Sequence, residues 1–155
     1  MEGISQDTIL GFGEEVLLPL VVAIALGGLV GWNREQGEKP AGLKTHMMVA
    51  LGAAAFTLVA LRVYGYAIGN RAFSGADPIR IIEGVATGIG FLGAGSIIRN
   101  RGEVQGVTTA AGIWVVGGLG AACGAELYGI AVSVTALSLI ILAVVKKLEH
   151  RVLRD

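Results

Sequence analysis

Charge is scarce in this chain of 155 residues: 15% are Asp, Glu, Lys or Arg, where a soluble domain carries about a quarter. With 54% hydrophobic residues, a globule of this size could not hide its apolar surface from water. A net charge of zero argues against a nucleic-acid partner, which calls for a basic face. The single cysteine, Cys123, excludes a disulfide framework and any multi-cysteine metal site. Only two histidines occur, His46 and His150, too isolated for a zinc cluster. There is no HExxH, no Walker loop, no paired-carboxylate motif and no Ser-His-Asp pattern, so neither an enzyme nor a cofactor is expected. Glycine is plentiful, 25 residues, but without a G-X-Y period, which leaves close helix packing as its use. What remains is an all-α, polytopic transmembrane bundle with the lipid bilayer as its solvent.

Long apolar runs place five spans, at about residues 16–32, 45–63, 78–98, 106–125 and 127–146, in one membrane domain with a short tail at 147–155. Between Gly106 and Val145 the only charge is Glu126. One helix of that length would be about 60 Å, twice the hydrocarbon core, so the chain must fold back near Gly124, Glu126 and Gly129. Ala23-Ile24-Ala25 resembles a signal-peptide cleavage site, but residues 1–15 hold four acids and no Lys or Arg, which argues against a leader. Counting Lys and Arg on alternate sides gives nine against three, so the N-terminus is expected outside and the C-terminus in the cytoplasm.

Gly31, Arg34, Gly37-Glu38, Gly42-Leu43 and Thr45 are echoed by Gly95, Arg99, Gly102-Glu103, Gly106-Val107 and Thr109, 64 or 65 residues later. Either spans one and two are an older copy of spans three and four, related by a parallel repeat, or a glycine-rich chain matches itself by chance. Gly88-Ile-Gly90-Phe-Leu-Gly93 has the letters of a dinucleotide fingerprint but lies inside a span with no preceding strand. Gly84, Gly88, Gly90, Gly93 and Gly95 instead suggest a third helix packed by protein on all sides, with Gly27/Gly31 and Gly120/Gly124 as further small-residue pairs.

Asp77-Pro78-Ile79-Arg80 opens the third span as Asp at the N-cap and Pro at the first helical position would. Capping is a sufficient account of Asp77. Glu83, about one and a half turns further in, is an acid at membrane depth, however, and such residues mark functional sites, with Arg80 as the nearest neutralising partner. Asp77 and Glu83 therefore form the candidate cation site, with magnesium or another cation as its ligand. On the basic side, Arg34 suits the C-terminal end of the first helix dipole and His46 reads as a polar loop residue.

Taken together, Gly31-x-x-Arg34-Glu35, Ala41-Gly42-Leu43-Lys44-Thr45-His46, Asp77-Pro78-x-Arg80, Gly88 to Gly95, and Thr108-Thr109-Ala110-Ala111 with Trp114 resemble the MgtC/SapB family of bacterial inner-membrane proteins. The resemblance runs from about Glu14 to Tyr128. It departs at Lys44, usually Arg, at Glu83, often Gln, and in stopping at Asp155 without the soluble C-terminal domain of the virulence-associated members. It implies four or five membrane helices, an external N-terminus and a role in magnesium homeostasis. It also marks Arg34, Glu35, Thr45, His46, Arg80, Thr108 and Thr109 as functional candidates, and Arg99, the repeat counterpart of Arg34, is a further one. Two functions are compatible with these features: a non-enzymatic regulator acting on itself or on a membrane complex such as a transporter or the ATP synthase, and a small homo-oligomeric transporter or channel for magnesium, potassium or protons.

Overall fold

The computed structural model of the protein describes residues 13–69, 77, 79–100 and 103–152. A π-helical turn, Gly13–Leu17, runs into α1 (Leu18–Gln36), followed by α2 (Leu43–Gly69), α3 (Ile79–Gly95), β1 (Ile98–Asn100), β2 (Glu103–Gln105), α4 (Val107–Gly124) and α5 (Tyr128–Val152). Four of these stretches are long and apolar enough to cross a membrane: Gly13–Gln36, Leu43–Tyr66, Val107–Gly124 and Tyr128–Val145. Large apolar side chains on their outer faces, among them Phe56, Val63 and Ile141, are exposed, as lipid-facing residues are.

The third expected span is shorter than its composition suggested. α3 ends at Gly95 after 17 residues, about 26 Å of helix, and residues 98–100 leave the helix to form β1. The all-α expectation thus acquires a two-stranded antiparallel hairpin, with Ile98 opposite Gln105, Arg99 opposite Val104 and Asn100 opposite Glu103. Gly106 follows at φ +88°, a left-handed conformation that favours glycine, and a Cβ there would run into the Ser96 carbonyl oxygen. The long apolar run after it breaks at Ala125–Leu127, where Glu126 takes φ 60° and α5 begins.

α4 is the central helix and touches α1, α2, α3 and α5, while α1 and α2 form the most extensive pair. Small residues allow this. A Cβ on Gly27 would lie 2.7 Å from that of Ala50, and one on Gly120 would strike the Ala50 backbone from the other side. Gly31 meets Leu43 Cα at 2.8 Å in the same sense, and Gly124 meets the backbone of Ala54. Ala23, Val30, Ala50, Ala54, Val116, Leu119, Cys123 and Ala131 fill the core these approaches leave. Buried Thr57 and Thr135 donate to the carbonyls of Ala53 and Ala131, 2.9 and 2.8 Å away, so neither hydroxyl is stranded in an apolar interior.

α3 does not follow this pattern. Of its five glycines only Gly93 is close to another helix, where an added Cβ would lie 3.2 Å from the Ala110 carbonyl oxygen. At Gly84, Gly88, Gly90 and Gly95 an added Cβ would meet nothing within 4 Å, so within the chain α3 is not packed on all sides. Between α2 and α3 lies an open apolar groove of about 700 Å³, with Gly52, Phe56, Gly84 and Gly88 on its walls.

Candidate functional site

The end of α1 and the start of α2 interlock through two short motifs. Glu35 Oε2 accepts the Leu43 N–H at 2.8 Å, capping α2 from the preceding helix. Gly42 must be small for this, because a Cβ there would coincide with the Glu35 carboxylate. One helical turn before the cap, Gly31 lets Leu43 and His46 approach α1, a Cβ at this position falling 2.9 Å from His46 Cβ.

Arg34, three residues beyond Gly31 and so on the same face, is carried inward with it. It is only 5% exposed, and its Nη2 donates to Thr109 Oγ1 across 2.7 Å to the first turn of α4. His46 is fully buried in the first turn of α2, not in a loop, because the interlocked turn draws α2 onto α1 at this level. Its Nδ1 lies 2.8 Å from the Gly42 carbonyl oxygen, and since a carbonyl only accepts, Nδ1 carries the proton. Nε2 faces α4, where a Cβ on Gly112 would stand 3.5 Å from it. Arg34 is close enough to act on the ring electrostatically. Arg34 Nε and His46 Nε2 are, among the described residues, the buried side-chain nitrogens without a hydrogen-bond partner.

Three helices thus bring Arg34, His46 and Thr109 together. Thr45, Thr108 and Arg99 are exposed and stand outside the junction. The two halves of the internal match agree in one respect, since α2 and α4 each begin just after a glycine, Gly42 and Gly106. They differ in environment: Arg34 is buried where Arg99 is exposed, and Thr109 is buried where Thr45 is exposed.

The acidic candidates lie on α3. Asp77 accepts the Ile79 N–H on its carboxylate at 2.9 Å and the Arg80 N–H on its carbonyl at 3.2 Å, the bonds an N-cap makes. Glu83 and Arg80 are exposed. Among the described residues no three His, Cys, Asp or Glu side chains come together as metal ligands would.

The family model for the MgtC family matches residues 20–151. This chain belongs to the MgtC family. Similar proteins include the "putative magnesium transporter YhiD" of Escherichia coli K12, 35% identical over 140 residues that cover 90% of this chain and 64% of that protein. SrpB of Synechococcus elongatus is 37% identical over 140 residues, covering 84% of this chain and 75% of SrpB. MgtC of Salmonella typhimurium is 37% identical over 123 residues, covering 79% of this chain and 49% of that protein. The chain therefore spans about half to three quarters of these relatives' length. No solved structure matches it.

Proposed function

We propose that this chain is a five-span protein of the bacterial inner membrane, N-terminus outside, that serves magnesium homeostasis as a non-enzymatic regulator, by contact with another membrane complex or with a second copy. The magnesium connection is supported by family membership and by the name of YhiD, which assigns that relative to magnesium transport without establishing it. The observation that carries the regulatory reading is Arg34. Among the described residues it is the only charged side chain in the interior, and it is a cation. A magnesium ion crossing within one protomer would pass a fixed positive charge in a low-dielectric interior and, among the described residues, meet no cluster of acids to replace its water. α3 completes the fifth span in this reading, with Asp77 at the outer surface.

A second reading, a homo-oligomeric cation transporter, draws on the exposed Glu83 and the unfilled glycines of α3, which copies of the chain could bring together. Purified protein in liposomes, loaded with a magnesium-sensitive dye, separates the two. No flux above empty liposomes, from protein that rescues a deletion strain in low magnesium, is expected; magnesium flux abolished by Glu83→Gln would replace the regulator with the transporter.

A further inference from the structure

Among the described residues, no carboxylate forms an ion pair with the buried guanidinium of Arg34. An arginine stays protonated at any cellular pH, and a buried charge left unpaired is strongly unfavourable. Its bond to Thr109 satisfies one donor with a neutral hydroxyl and leaves the charge in place. Glu35 is adjacent in sequence, but neighbouring helical residues diverge, and its Oε2 is held by the Leu43 N–H. Among the described residues the one ion pair joins Arg62 to Glu15, between the π-helical turn before α1 and the C-terminal half of α2.

Thr109 stands in the first turn of α4, so the positive end of that helix faces the guanidinium, whereas the start of α2 near His46 is already capped by the Glu35 carboxylate and Arg34 itself stands in the last turn of α1. The N-cap of α4 is Gly106, which offers no side-chain cap. Two nitrogens of the junction, Arg34 Nε and His46 Nε2, have no hydrogen-bond partner among the described residues, from side chains 5% and 0% exposed.

We infer that the junction of Arg34, His46 and Thr109 is a binding site for a phosphate-type oxyanion, either free phosphate or the headgroup phosphate of an anionic phospholipid. Arg34 donates from Nε and from the Nη2 now on Thr109, the fork that a tetrahedral oxyanion matches. His46, its Nδ1 proton fixed on the Gly42 carbonyl, offers Nε2 to a hydroxyl of the ligand or, as a cation, donates to a further oxygen. Both unpartnered nitrogens are enclosed, so binding parts Arg34 from Thr109 and exchanges a hydroxyl for a charged acceptor. The inference stands on these side chains and is independent of the magnesium reading.

Thermal unfolding of the purified full chain tests it, in detergent with inorganic phosphate against chloride at equal ionic strength, and in nanodiscs of phosphatidylglycerol against phosphatidylcholine. Phosphate or phosphatidylglycerol is expected to raise Tm by several degrees, the first identifying the free ion and the second the lipid as source. In Arg34→Gln the half-saturating concentration should rise at least about tenfold. Arg34→Lys serves if the first variant does not fold: it keeps the charge and loses the fork, and the same weakening is expected. Absence of any shift in the wild type, or an equal response in wild type and variant, overturns the site.

Discussion

The two sides of α4 use glycine in opposite ways. Toward α1 and α2, Gly27, Gly31, Gly120 and Gly124 are places where backbones touch, and no side chain fits. Toward the α2–α3 groove, Gly84 and Gly88 face open space, and a methyl group would meet nothing. The sealed side encloses the chain's polar junction, and the open side carries the exposed carboxylate of Glu83 and the helix cap of Asp77. A glycine-rich helix is therefore no guide to burial; what matters is which neighbour the missing side chain admits.

Substitutions on the two sides should separate accordingly. Gly120→Leu forces a side chain into the Ala50 backbone and should cost about 3 kcal/mol or more, read as loss of folded protein from the membrane. Thr109→Val strips Arg34 of its hydroxyl and should cost about 1.5–3 kcal/mol in a detergent unfolding assay. Adding Arg34→Met to that variant should recover part of the loss, because the stranded charge goes with it. Glu35→Ala, which uncaps α2 at Leu43, should cost about 1 kcal/mol by the same assay. The smallest effect is expected on the open side and with the opposite sign. Gly88→Ala gains helix propensity against no steric penalty and should raise stability by about 0.5–1 kcal/mol. Destabilisation by Gly88→Ala with a change in oligomer size would show that a second copy fills the groove.

Much of the sealed side was legible in periodicity. Gly27, Gly31 and Arg34 fall at i, i+4 and i+7, so a glycine face turned toward α2 had to bring Arg34 with it. His46, Ala50, Ala54 and Thr57 follow a similar spacing on α2, as do Thr109, Ile113, Val116 and Gly120 on α4. Arg34 does stand in the last turn of α1, as a dipole-facing end residue would, but its burial, and the place of His46 in a helix and not a loop, follow from these stripes. Other features had no local signal. The end of α3 at Gly95 depends on the hairpin pairing of residues 98–105, and the Glu35 cap on Leu43 joins two helices across a turn. The glycines of α3 read in sequence like those of α1 and α4, and only the placement of neighbours tells them apart. Asp77 was legible as a cap from Asp-Pro alone.

The most direct measurement is growth of a deletion strain at limiting magnesium, rescued by two sets of variants at matched membrane abundance. One set alters the junction: Arg34→Lys, His46→Gln and Thr109→Val. The other neutralises the acids of α3 while keeping shape and capping: Asp77→Asn and Glu83→Gln. If function resides in the polar junction enclosed by α1, α2 and α4, the first set loses rescue and the second retains it. Rescue by the junction variants and failure of Asp77→Asn and Glu83→Gln would contradict that and return the site to the carboxylates of α3.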